Sequence, residues 1–297
     1  MIALCVIPYY AATQSFSERP NLQEMFQTQR KRSKFAYAFE MGELIFHSVV
    51  RDILKSHSNA VVGLLLNLIQ ATLFVAAFYA MFLLLGMRGG GIRGDFLLYI
   101  MSGIFLFMTY AKTIGSVFGA EGSTYPMMHH APLNTIVTIS AAAISTLYQH
   151  TLTLVVALFL YHSLITPISI HDPIGAYGMF LLAWISGVAI GIIFMSIRPW
   201  LPNLAPIGQT VYSRVNMIAS GKMFVANTLP ASMVALFSWN PLFHCIDQAR
   251  GFVFINYYPH NSSISYPVSV TVGLFMFGLM IEFFTLKNAS ASWNAGR

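Results

Sequence analysis

Apolar residues along this chain come in long uninterrupted blocks. A bilayer core of about 30 Å needs roughly 20 mostly apolar helical residues. Five runs reach that length, over residues 60–86, 96–119, 135–160, 174–197 and 267–286. Lys112 is the one charged residue in the second run. A sixth run, 207–225, is weaker because it carries Arg214 and Lys222. It is read as the fifth span in chain order, lining the protein interior. The expected fold is an all-α membrane protein with six transmembrane helices.

The segment just before the first run has a different pattern. Apolar residues fall at Phe35, Phe39, Phe46, Val49, Val50 and Ile53, and polar ones at Glu40, Glu43, His47, Arg51 and Lys55. This is a helical period with two faces. Such a helix lies in the membrane interface rather than crossing it. Residues 1–34 are read as a cytoplasmic tail, 35–58 as an amphipathic interface helix and 59–297 as the transmembrane domain. The interface helix serves either as an anchor or as a docking surface for a cytoplasmic partner.

Composition strengthens the membrane reading. Hydrophobic residues make up 56% of the 297 and charged ones 9%, where a soluble domain carries about a quarter. The net charge of +6 does not point to nucleic acid, because seven of the sixteen Lys and Arg lie before residue 60. That is a positive-inside distribution. With six spans both termini fall on one side, and the basic N-terminal segment makes it the cytoplasmic side. The loop YHSLITPISIHDP has no Lys or Arg, as an outer loop should, whereas MRGGGIRGD places two Arg on the expected outside. The start, MIALCVIPYY, has no basic region before its apolar stretch and is not read as a signal peptide. Cys5 and Cys245 are the only cysteines and provide no disulfide framework.

Between the weak run and the last one the chain is broken. LPASMVALFSW, 229–239, is apolar but too short to span. It leads into WNPLFHCIDQARG, 239–251, which gathers His244, Cys245, Asp247 and Arg250. Asn240 is a good N-cap, Pro241 suits the first helical turn and Gly251 is a good stop. PLFHCIDQAR therefore reads as a helix of about ten residues, with His244, Asp247 and Gln248 on one face and Asp247 a turn before Arg250. Aromatic and turn residues follow in FVFINYYPHNSSISYP. The unit is expected to be a short re-entrant or periplasmic helical region before the last span.

Motifs for chemistry on this chain are missing. GxxxxGK[ST] is absent, so nothing here cradles a nucleotide in the P-loop manner. HExxH and GxSxG are absent as well, and GIRGD at 91–95 has the wrong spacing for an intramembrane protease. His129 and His130 are adjacent in GAEGSTYPMMHHAPLNT, with Glu121 the only nearby carboxylate, short of the three or four ligands a metal requires. The small-residue pairs Gly115/Gly119 and Gly187/Gly191 permit close helix approach, read first as packing within the chain. Lys112, Arg214, Lys222 and Glu282 lie within or near spans, where a charge is expected to face a partner or a wet cavity; for Lys222 and Glu282 the alternative is to snorkel near span ends.

MSGIFLFMTYAKTIGS, MMHHAPLNTIVT and NTLP…WNPLFHCIDQARGFVF…SISYPVSV, together with the interface helix and the broken region before the last span, carry a family likeness. From about residue 35 onward the chain resembles type 2 ABC exporter permeases, and among them the capsular-polysaccharide (polysaccharide/polyol phosphate) export permeases of the Gram-negative inner membrane. In that family a Leu-Pro pair leads to an Asn-Pro corner, a His, an acidic residue and an Arg-Gly end. The long N-terminal extension and the HHAP of the loop depart from it. The resemblance implies two permease copies, polysaccharide or lipid-linked glycan as substrate, and a separate ATP-binding subunit that holds ATP and Mg. No cofactor is expected on this chain, and no nucleic acid among its partners. The coupling loop would present Glu121, Tyr125, His129, His130 and Asn134 to the ATPase. Asn240, His244, Asp247 and Arg250 would form a polar helix at the outer end of the path.

Export of O-antigen or teichoic acid by the same class of permease is the nearest alternative. From another class, a membrane-embedded enzyme would use His244 and Asp247 as acid and base, though no second convergent constellation accompanies them. A channel or scaffold without energy coupling is the third reading.

Overall fold

The computed structural model of the protein describes residues 34–56, 60–84, 86, 94–120 and 135–288. Contacts divide the chain into residues 1–41 and 42–297. In the first unit the described residues, from Lys34, are helical. In the second, all regular structure among the described residues is helical too.

The helices are α1 (Lys34–Ser56), α2 (Ala60–Leu84), α3 (Phe96–Phe118), α4 (Thr135–Leu164), α5 (Pro173–Ile197), α6 (Leu204–Ala219), α7 (Ala231–Phe237), α8 (Pro241–Val253) and α9 (Ser265–Asn288). Five of them, α2, α3, α4, α5 and α9, are long and apolar enough to cross a membrane. They coincide with the five clear apolar runs to within a few residues at each end.

The sixth run behaves differently. Its helix, α6, has 16 residues, a length of about 24 Å, short of the bilayer core. The helix stops because Gly221, two residues past its end, takes φ +75°, a conformation costly for any residue with a Cβ. The expectation of a continuous span over 207–225 gives way to a shorter helix and a turn.

α3 and α5 form the centre. Their axes approach through Gly187 and Gly191: a Cβ on Gly187 would lie 2.9 Å from the Tyr110 carbonyl, and one on Gly191 2.7 Å from the Val117 Cβ. This small-residue pair is therefore used within the chain. Gly115 on α3 has open space around its missing Cβ. On its other side α5 takes α9 against Ile192 and Ile193, through Gly278. The outer faces of α2 and α9 remain apolar and exposed, with Val61, Leu65 and Leu73 on one and Met276, Met280 and Phe283 on the other. Such faces are suited to lipid, which is as apolar as they are.

Glu282 does not snorkel. It is buried, and its Oε2 accepts a 2.8 Å hydrogen bond from Ser196 on α5. Beside it Thr285 donates to the Ser196 carbonyl and accepts from the indole of Trp200. The Ser196 hydroxyl replaces water at one oxygen of the carboxyl, while Oε1 has no hydrogen-bond partner among the described residues.

In α1 the described part of the second unit keeps its two faces. Phe46, Val50 and Leu54 are exposed apolar positions, and Glu43 pairs with His47 one turn on, at 3.7 Å.

Candidate functional site

The polar helix of the sequence is α8. Asn240 caps it as its type predicts: its side-chain oxygen accepts from the Leu242 amide at 3.0 Å, with Pro241 in the first turn. The Asn240 amide also donates to Asn216 and to the Ala219 carbonyl, so the cap ties α8 to the end of α6. The helix does not stop at Gly251 but runs to Val253. Gly251 is needed for a different reason: its missing Cβ would lie 2.8 Å from Pro259.

The ionisable side chains of α8 do not brace one another. Arg250 is 1% exposed and turns to the loop after α6. It donates to the carbonyls of Gly221, Lys222 and Phe224 at 2.8–3.0 Å. Asp247 accepts from the Tyr257 hydroxyl and, at 2.7 Å, from Ser262. His244 bonds the Ser238 carbonyl through Nε2 at 2.7 Å and receives the Ser263 amide on Nδ1 at 3.1 Å. That arrangement requires the neutral ring protonated on Nε2. Burial lowers its pKa, with the Ser238 carbonyl and the Asp247 charge opposing. Burial also pushes the Cys245 thiol up to about 12, far from a reactive thiolate. His244, Asp247 and Arg250 are used in holding loops on either side of α8. None of them lines either of the two pockets described below.

Lys222 is the second surprise of this region. Its side chain is buried, not snorkelling, and no hydrogen-bond partner reaches its Nζ. The ammonium sits 3.5 Å from the ring centre of Phe107, 4.9 Å from Phe74 and 5.1 Å from Phe78. Three ring faces substitute for water and counter-ion.

The open space lies elsewhere. A groove of about 690 Å³ runs between α1, α2, α3 and α4. Its walls carry Arg51, Asn67, Lys112, Ser116, Gln149 and His150. Asn67 donates to Gln149 across it at 3.3 Å. A second pocket of about 370 Å³ continues it between α2, α3 and α6. Gln70, Ala111 and Lys112 line both. The second pocket adds Gln209, Ser213 and Arg214, with the stacked rings of Phe74 and Phe107, 6.5 Å apart, as its apolar part. Gly115 opens onto the groove.

Lys112 and Arg214, singled out in the sequence as charges needing a partner or a wet cavity, thus meet in one place. The uncharged polar residues of the groove carry a weaker signal. Asn67 and Gln70 are three apart on α2, and Lys112 and Ser116 four apart on α3, so each pair shares a face of an otherwise apolar helix.

Glu121, Tyr125, His129, His130 and Asn134 lie outside the described residues. Among the described residues no cluster of three His, Cys, Asp or Glu is arranged to hold a metal. Comparison with protein-family models finds no match, and neither does comparison with curated proteins.

Proposed function

We propose that this chain is the permease subunit of an ABC exporter that moves capsular polysaccharide across the bacterial inner membrane, with ATP hydrolysed on a separate subunit. The observation that carries this reading is the groove. Arg51, Asn67, Gln70, Lys112 and Gln149 line it, and Arg214 lines the pocket that continues it. Charged and amide side chains are too costly to leave against hydrocarbon. The groove is therefore one wall of a hydrated path, completed by a second copy of the chain. A path lined by charged and amide side chains suits a hydrated glycan.

In this reading α6 and the turn after it complete a sixth crossing. Irregular backbone at membrane depth survives where protein surrounds it, and the Arg250 bonds to the 221–224 carbonyls supply that. Both termini are then cytoplasmic, α1 lies in the interface, and residues 121–134 with α1 receive the ATPase. O-antigen and teichoic-acid export use the same architecture. The enzyme reading is weaker, because His244 and Asp247 are already occupied by Ser238, Ser263, Tyr257 and Ser262.

Affinity purification of the full chain from native membranes tests the assignment. The expected result is co-purification of a polypeptide with a P-loop motif and ATP hydrolysis by the complex. Recovery of this chain alone, with catalytic turnover of a glycan substrate and no ATPase, contradicts it.

A further inference from the structure

Glu282 is the one Asp or Glu inside the five long apolar helices. It is 6% exposed, and Ser196 and Thr285 beside it are fully buried. An ionisable group inside such a helix marks a pathway, a proton site or a pairing.

The hydrogens around it are already committed. The Trp200 indole donates to Thr285 at 2.9 Å, and Thr285 donates to the Ser196 carbonyl at 3.1 Å. That leaves the single hydrogen of the Ser196 hydroxyl. Two acceptors lie 2.8 Å from this hydroxyl, the Ile192 carbonyl and Glu282 Oε2. Glu282 Oε1 is buried and has no hydrogen-bond partner among the described residues. An ionised carboxylate, with about four acceptor sites, would receive one hydrogen at most.

No cation of the neighbouring helices answers the charge. α9 packs chiefly on α5 and α8. Arg198, at the end of α5, lies with its guanidinium 5.5 Å over the Phe118 ring, and Lys287 of α9 is exposed. His244 and Arg250 of α8 bond the loops on either side of it, as does the acid of that helix, Asp247. None of these forms an ion pair with Glu282 among the described residues.

A buried carboxylate with one contested hydrogen and no cation is costly. One added positive charge resolves the network. A proton on Oε2 lets Glu282 donate to the Ser196 hydroxyl, which then gives its own hydrogen to Ile192, so both 2.8 Å contacts become hydrogen bonds at once. A sodium ion would instead be held by Oε1 and the oxygens of Ser196 and Thr285, the donor type that hard cations prefer.

We propose that Glu282, with Ser196 and Thr285, binds one small monovalent cation, a proton or a sodium ion, in the seam between α5 and α9. The occupied site lets α9 close on α5. The emptied site strands a negative charge there, so cation supply sets how firmly the two helices hold. The exporter reading assigns this seam no role and stands or falls separately.

Thermal unfolding of the full chain in phosphatidylcholine nanodiscs tests this, with wild type beside Glu282→Gln, whose amide is a neutral stand-in for the occupied carboxyl. One series raises pH from about 7 to about 9 in choline chloride, above the range in which His244 changes charge. The other exchanges choline for sodium at constant pH and ionic strength. A ligand that binds only the folded chain raises its unfolding temperature. A wild-type loss of about 3 °C or more relative to the Gln protein as pH rises identifies the proton, and a gain of that size with sodium identifies the metal ion. A second measurement needs no variant. Dicyclohexylcarbodiimide, an apolar reagent that reacts with protonated carboxyls, should modify Glu282 of wild type in the absence of sodium, read by mass spectrometry of the peptide that holds it. Either positive result sustains the site. Parallel unfolding curves in both series, together with a Glu282 left unmodified across the same pH range, overturn it.

Discussion

The guanidinium of Arg250 lies 4.2 Å over the ring of Tyr99. From that position it reaches three carbonyls of the loop after α6. Gly103, one turn after Tyr99, makes room: a Cβ there would lie 2.8 Å from the guanidinium and 3.0 Å from the Lys222 backbone. Arg250 thus joins α8, α3 and the broken backbone between α6 and α7.

Replacing Arg250 should therefore damage the fold. Arg250→Ala strands buried carbonyls and is expected to cost about 3 kcal/mol or more. Arg250→Lys should rescue little, since an ammonium cannot match the fork. Thermal unfolding of the purified variants in one detergent reads both. A Lys variant as stable as wild type would show that the fork geometry is unimportant.

The Lys222 cage makes an opposite prediction. A buried cation with no acid beside it is weak support for a fold, and a flexible apolar side chain of similar length fills the same space. Lys222→Met should unfold at or above the wild-type temperature. A loss of about 2 kcal/mol or more would mean that the rings stabilise the charge more than its burial costs.

Gly191 and Gly115 separate packing within the chain from the open face. Gly191→Ala forces a methyl against Val117 and should destabilise by about 1–3 kcal/mol. Gly115→Ala meets nothing within 4 Å and should leave unfolding unchanged or raise stability by up to about 1 kcal/mol through helix propensity. Equal effects at the two positions would contradict the assignment of Gly115 to the groove.

His244 sets a pH dependence with a definite sign. Its folded pKa is lowered, so the unfolded chain binds the extra proton first. The contribution is complete above the ordinary imidazole value of about 6.5 and is lost as pH falls below it. Wild-type unfolding temperature should drop through that range more steeply than that of His244→Gln. Parallel curves would place the protonation elsewhere.

Hydration of the groove can be read by thiol labelling in a Cys5→Ser background. Gln70→Cys, Lys112→Cys and Gln149→Cys should react with a membrane-impermeant reagent, and Met280→Cys and Phe283→Cys on α9 should not. Groove positions as unreactive as those on α9 would place the groove in lipid or in a dry interface.

The sequence carried some of these features openly and concealed others. Asn240 and Pro241 announce the start of α8 because a cap is satisfied within a few residues. The five long helices are equally legible, since lipid imposes length and polarity on each separately. Gly251 misleads because its role is a close approach to Pro259, a tertiary contact that mimics a local stop signal. Lys222 and Glu282 look like snorkelling residues until Phe107 and Ser196 are seen beside them. The groove is the least legible feature, since its polar residues are contributed singly by helices far apart in the chain. Only Lys112 and Arg214 stood out beforehand, because charge in an apolar run needs a reason.

The most direct test of the exporter account is to delete this chain from the cells that make it and locate their surface polysaccharide. The account predicts that the glycan disappears from the surface and accumulates on the cytoplasmic side, with export restored by the wild-type chain. A cell-surface glycan unchanged in amount and position would contradict it.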